Sequence, residues 1–226
     1  MSGGGLTAEL PCGGVHFSDR SEGNMSSVGG EGHEHGAVNR ESLRDRLGLS
    51  RLARGYQVHG VHVNTVLAMP EREAETGELE DADGQATALS SLGATVLGAD
   101  CLPVAIATGR AVAMLHAGWK GLAGGVLESG VDALREMGGG EAVAVLGPCA
   151  GPCCYEVGPE VHAALGTGVA KRATVDLRAV ARARLEAAGV GSVRMLGGCT
   201  ICDERWFSHR REGERAGRQA GVAWLS

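Results

Sequence analysis

The stretch ATVLGADCLPVAIATGRAVAMLHAGWKG (residues 94–121) decides the fold. Ala94–Leu97 and Pro103–Ala107 are short apolar runs on either side of a polar break at Asp100-Cys101. A third run, Ala111–Leu115, ends at His116. Runs of this length, bounded by Gly, Asp and Pro, read as buried strands. Leu122–Met137 follows, with apolar residues at 122, 126, 127, 131, 134 and 137, the spacing of an amphipathic helix. Working outward, GVHFSD (14–19), Val58–Val66, Ala142–Leu146, Gly191–Leu196 and Gly221–Leu225 read as strands. Asn39–Leu49, Pro159–Leu165 and Asp176–Ala188 read as helices, the last with Asp176 as N-cap. Strands and helices alternate, so the expectation is an α/β (α+β) fold with a sizeable sheet.

A chain of 226 residues is read as one domain, residues 13–226, preceded by a disordered tail over residues 1–12. The Gly- and Ser-rich 21–36 segment reads as a loop. PEREAETGELEDAD (70–83) carries seven acids and one Arg and reads as a solvated, mobile loop. The net charge of −6 leaves no basic footprint for duplex nucleic acid or an anionic membrane. No run of 18 apolar residues exists to span a bilayer. The start of the chain lacks a secretory pattern, so the expected location is the cytoplasm. Glycine numbers 38, about 17% against an average near 7%. The aromatics are only Phe17, Tyr56, Trp119, Tyr155, Trp206, Phe207 and Trp224, so the core must be built from Ala, Val and Leu. Seven cysteines, an odd number, favour metal or reactive-thiol roles over a disulfide framework.

Four sets of residues could carry chemistry. His59, Cys101 and His116 each end or break an apolar run, so their side chains can converge at one mouth of a sheet. Two imidazoles and a thiolate with an open fourth position make a catalytic zinc site. The same residues fit two other readings: hydrogen-bonded edge histidines with a buried small thiol, or a nucleophilic Cys101 with His116 as base. A second set is GPCAGPCCYEVG (147–158) with CTICDERWFSHRREG (199–213). There a single CxxC plus Cys149, Cys153 and Cys154 could form a zinc knuckle, or serve as pocket walls and core thiols. The third set is anionic recognition: Arg205, Arg210, Arg211, Arg215, Arg218 and Lys120 could hold phosphate, or be separate surface charges. The fourth, His33-Glu34-His35, is a chance metal binder in a loop, while His62 and His162 read as surface residues.

Taken in order, VHGVHV (58–63), GADCLPVAIA (98–107), LHAGWKGLAGGV (115–126), LGPCAGPCCYEVGPEV (146–161), FSHRREG (207–213) and AGRQAGVAWL (216–225) strongly resemble the YfiH/laccase-domain family. The resemblance covers about residues 56–226, and ADCLPV with HAGWKG is its most specific part. It implies a single α/β domain of layered mixed β-sheets flanked by helices. It places the metal ligands on His59, Cys101 and His116, with zinc as cofactor and copper (Cu2+) as the alternative ion.

The implied activity is phosphorolysis of adenosine, inosine and methylthioadenosine, with adenosine deamination alongside. Expected partners are a nucleoside and phosphate, not nucleic acid or membrane, and the expected state is monomer or homodimer. Cys101, His116, Asp100 and Lys120 are the expected catalytic residues. Trp119, Tyr155, Phe207, Arg210 and Arg218 are expected to bind substrate. Lys120 stands where the family more often has Arg, which keeps the charge but loses the bidentate fork. The alternatives are a cysteine hydrolase acting on cell-wall precursor amides and a copper-dependent polyphenol oxidase. The latter fits poorly, because multicopper sites need many histidines and this chain has eight.

Overall fold

The computed structural model of the chain describes residues 4–74 and 76–226. The first third holds β1 (Leu6–Leu10), β2 (Gly13–Phe17), α1 (Gly36–Arg46), β3 (Arg51–Ala53), β4 (Val63–Val66) and β5 (Gly84–Thr87). Next come β6 (Leu92–Gly98), β7 (Leu102–Ala107), β8 (Val112–Ala117), α2 (Trp119–Gly124), α3 (Val126–Glu136) and β9 (Val143–Leu146). The last third is β10 (Glu156–Val157), α4 (Pro159–Leu165), β11 (Ala173–Thr174), α5 (Leu177–Ala187), β12 (Ser192–Met195), α6 (His209–Glu212) and β13 (Gln219–Leu225).

Apolar strands need cover on both faces, and two stacked sheets with helices outside provide it. One sheet runs β1-β2-β13-β6-β3, the other β12-β9-β7-β8-β5-β4, and β10 and β11 form a small ribbon. Both large sheets are mixed: β3 is parallel to β6 while β13 is antiparallel to it, and β12 is parallel to β9 while β7 is antiparallel to it. In β7 the pleat sends Leu102, Val104 and Ile106 toward the helices, and Ala105 and Ala107 toward the other sheet. In β8, Leu115 packs with the helices, while Val112 and Met114 face the other sheet. His116 shares the parity of Val112 and Met114 and so ends its strand between the two sheets, beside Phe17, Val96 and Pro103.

Between the sheets Ala94, Ala105, Ala107 and Ala223 sit among Val15, Val96, Val112, Val145 and Met114, with Phe17 the one aromatic of that cluster. A Cβ added at Gly221 would lie 3.1 Å from Met114 Sδ and 3.2 Å from Pro103 Cβ, so the sheets are already in close contact there. A third cluster, of Met25, Leu43, Leu49, Leu52, Ala220 and Val222, packs α1 on the outer face of the five-stranded sheet.

The structure departs from the sequence expectations at several points. Leu6–Leu10, expected as tail, is an edge strand paired with β2, while residues 1–3 lie outside the described residues. The helix expected over 122–137 is two helices, because Gly125 adopts a left-handed φ of 107° that ends α2 and starts α3. The strand expected over 58–66 is confined to Val63–Val66; residues 58–62 form a loop. The acidic stretch is not simply solvated. Glu73 pairs with Arg40 at 2.5 Å and Arg54 at 2.9 Å, and Asp83 is fully buried; Glu75 lies outside the described residues. His162, expected at the surface, is buried between Thr167 Oγ1 at 2.8 Å and Ala173 O at 3.2 Å.

His16 on β2 is wholly buried, with Thr7 Oγ1 at 2.8 Å from its Nδ1. Burial and then the Arg46 charge push its pKa down to about 4. It is neutral when folded but protonates near 6.5 when unfolded, so the unfolded chain binds more protons between these values. Stability is therefore complete above pH 6.5 and falls as the pH drops toward 4, by on the order of 2–3 kcal/mol. Denaturant titrations at pH 7 and 4.5 should show this loss, and His16→Asn should remove that share of it. An unchanged pH slope in the variant would refute the assignment.

Candidate functional site

Three connections reach one edge of the sheet stack. His59 comes from the loop between β3 and β4, Cys101 from the turn between β6 and β7, and His116 from the end of β8. Their ligand atoms all lie within 4.8 Å of one another. The two imidazoles meet edge-on, 4.9 Å between centroids at 73°, and Cys101 Sγ is 3.8 Å from His59 Nε2. His59 is exposed, Cys101 half-buried and His116 buried, so the cluster is open on one side. A Cβ at Gly118 would lie 2.8 Å from His59 Cδ2 and 3.2 Å from Cys101 Sγ; only glycine leaves the ligands this room.

Asp83 fixes the arrangement. Its carboxylate accepts the backbone N–H groups of Val58, His59 and Gly60 at 3.1, 3.0 and 2.6 Å, and His116 Nδ1–H at 2.7 Å. The first three contacts hold the loop with His59 at a left-handed φ of 60°, a conformation that a non-glycine residue keeps only under such constraint. The fourth fixes the His116 ring and leaves its Nε2 toward Cys101, the orientation a ligating imidazole takes from a carboxylate behind it. Burial works against the Asp83 charge, but hydrogen bonds from His116, Gly60 and Val58 prevail and keep its carboxyl below the usual range.

Burial alone would raise the Cys101 pKa and lower that of His116. Their mutual attraction reverses both. The charge of His116 and hydrogen bonds from both histidines bring the thiol down to about 6. The charge of Cys101 and the bond to Asp83 lift His116 to about 9. Cys101 is therefore a thiolate at neutral pH, the form that ligates a metal or attacks an electrophile.

Two clefts meet at this cluster and share His59, Ala99, Cys101 and His209. The larger, about 420 Å3, is lined further by Ser26, Tyr56, Gln57, Arg54 and Arg218. The smaller, about 300 Å3, is lined by Asp100, Trp119, Lys120, Tyr155 and Arg210. Of the clustered arginines only Arg210 and Arg218 line these clefts. Arg211 is spent on Thr200 O, Trp206 O and Glu212, Arg205 on Asp203, and Arg215 faces Glu31.

Two expected residues fall elsewhere. Phe207 does not wall a cleft: it is buried against Ala99 and Ala216, under the guanidinium of Arg20 at 4.4 Å. Asp100, at φ 83°, has both carboxylate oxygens occupied, by Thr200 Oγ1 at 2.6 Å and the Arg210 N–H at 2.6 Å. Its bond to the Arg210 N–H holds the start of α6. Sequence reasoning missed Asp83 as well as the Ser26, Tyr56 and Gln57 wall.

Asp83→Asn exchanges an acceptor for an amide that cannot take all four donors. We expect a folded chain that holds divalent metal 10–100-fold more weakly, measured by chelator competition. Unchanged metal affinity would separate Asp83 from the cluster.

The family described as Multi-copper polyphenol oxidoreductase laccase matches residues 10–226. A purine nucleoside phosphorylase of Xylella fastidiosa is 42% identical over 92% of this chain and 86% of its own length. A crystal structure of a Neisseria meningitidis protein aligns with a TM-score of 0.82 at 31% identity, covering 99% of this chain and all of that one. The Bacillus licheniformis protein YfiH shares the fold, with a TM-score of 0.84 at 24% identity over 96% of this chain and 98% of its own. The chain belongs to the multi-copper polyphenol oxidoreductase laccase family, whose fold YfiH shares.

Proposed function

We propose that the protein is a zinc-dependent purine nucleoside phosphorylase acting on adenosine, inosine and methylthioadenosine, with adenosine deamination as a second activity of the same site. The observation that carries this reading is the convergence of His59, Cys101 and His116 where two clefts join, one with aromatic walls and both with cationic side chains. The name of the Xylella relative supplies the reaction class.

The donor set fits one zinc ion: three protein ligands and an open side. When bound, zinc would supply Lewis-acid chemistry, polarising a substrate atom or acidifying water. The rest falls to the chain. Trp119 and Tyr155 offer flat faces to a purine, and Lys120, Arg210 and Arg218 offer donors to a phosphate dianion. Phosphate oxygen bonds to the anomeric carbon as the carbon–N9 bond breaks, and the base leaves with that electron pair and gains a proton. Copper would also find ligands here, since Cu2+ generally binds such donors more tightly than Zn2+. Among the described residues the other metal-competent group is all sulfur, so a multicopper centre lacks its imidazoles.

One observation favours a second reading. Cys101, His116 and Asp83 line up as thiolate, imidazole and orienting carboxylate, the arrangement of a cysteine hydrolase. The two readings separate on metal. The phosphorylase reading expects release of hypoxanthine from inosine only with phosphate, zinc protection of Cys101 from alkylation, and at least 100-fold loss in folded Cys101→Ala and His116→Ala. The hydrolase reading expects alkylation to proceed equally with and without zinc. Release of base by the two variants at wild-type rate would overturn the proposal. Lys120→Ala should raise the KM for phosphate roughly tenfold, the ~1.4 kcal/mol of one charge-assisted contact, and leave the KM for inosine nearly unchanged.

A further inference from the structure

The cysteines of 147–154 and 199–202 split into two kinds. Cys149 is buried, and burial pushes its pKa up to about 12; it is a core thiol. Cys153, Cys154, Cys199 and Cys202 instead bring their four sulfurs within 4.8 Å of one another at the surface. Cys202 Sγ lies 3.3 Å from Cys153 Sγ and 2.9 Å from Cys154 Sγ, and Cys153 and Cys154 are 3.6 Å apart. Four thiolates at 2.3 Å from a tetrahedral zinc would be about 3.8 Å from each other, so these pairs would open by roughly 0.2–0.9 Å and stay within the 4.8 Å span of the set. So compact a set leaves room for one ion and not for a polynuclear cluster.

Backbone donors converge on one of the four sulfurs, Cys199 Sγ. The Gly151 N–H donates to Cys199 Sγ at 3.2 Å, and the N–H groups of Ile201 and Cys202 also bond that sulfur, so the CxxC turn folds around it. Arg211 bonds Thr200 O at 2.7 Å and Ile201 O at 3.0 Å; Arg178 bonds Gly197 O at 3.1 Å and Gly198 O at 2.8 Å. Two guanidinium groups thus hold the loop that bears Cys199 and Cys202.

We propose that Cys153, Cys154, Cys199 and Cys202 form a second, structural metal site that binds one Zn2+ through four thiolates. Binding replaces four S–H protons by four S–Zn bonds and releases the protons to solvent; no electron moves. The ion would clamp two segments 45 residues apart. One leads directly into Tyr155. The other leads to Arg210, whose guanidinium lies 5.1 Å from the Tyr155 ring and bonds Glu156 O at 3.0 Å. The clamp therefore fixes the far wall of the smaller cleft. The site itself does not depend on the nucleoside reading.

The test uses the full-length His59→Ala/Cys101→Ala chain, in which the first cluster is dismantled, reduced and kept free of oxygen. After loading with Zn2+ and desalting it should retain about one zinc per chain. Co2+ in its place should give the intense near-ultraviolet sulfur-to-cobalt band of thiolate ligation. Adding Cys202→Ser should weaken zinc retention at least tenfold, whereas Cys12→Ser should leave it unchanged. Should Cys202→Ser fail to fold, cadmium-113 resonance of the otherwise native chain gives the answer, a four-thiolate site being far more deshielded than a mixed imidazole–thiolate one. No retained zinc, a cobalt spectrum without the sulfur band, no four-thiolate cadmium resonance, or recovery of these cysteines as a disulfide under reducing conditions would overturn the proposal.

Discussion

One buried carboxylate holds the candidate site together. Asp83 lies where a charge is costly unless every lone pair finds a donor. Four donors meet it, three from the backbone of residues 58–60 and one from His116. In the loop between β3 and β4, Tyr56 is held by backbone bonds to Glu80 and Ala82 and Gln57 by Leu97, while residues 58–60 are fixed by this one side chain. The same group orients a histidine on a different strand. The backbone at residues 58–60 and the direction of the His116 ring thus share a single anchor.

The anchor works because of the layers beneath it. The register of β5 against β8 pairs Gly84 with Leu115, which brings Asp83 opposite His116. β7 pairs with β8, and the core between the sheets packs β6 against them, so the turn carrying Cys101 and the end of β8 open at the same edge. Asp100 performs the parallel task on the other side. Through Thr200 and the start of α6 it ties the Cys101 turn to the segment bearing His209 and Arg210.

Much of this was legible in residues 94–121. Three apolar runs ending in Cys101 and His116 announce buried strands with polar tips, and the family motifs add His59. Asp83 was not legible, because its role depends on strand register, and in sequence it is one of seven acids in a run that otherwise looks solvated. Phe207 was misjudged for a related reason: scarce aromatics invite a pocket role, but this ring covers Ala99 from behind. β1 was hidden because an edge strand buries little; LTAEL alternates half-buried and exposed residues and lacks a long apolar signature. Gly125 was visible as a glycine, but only its left-handed backbone separates two helices from one.

The two clefts draw their walls from different parts of the chain. One is shaped by residues 26–28 and 54–57, the other by 119–120, 155 and 210, and they share His59, Ala99, Cys101 and His209. Substitutions at the unshared positions therefore leave the other side's lining intact. A catalytic centre arranged in this way can change its preference for one reactant without losing its grip on the second, which makes the scaffold tolerant of diversification around a fixed chemical core.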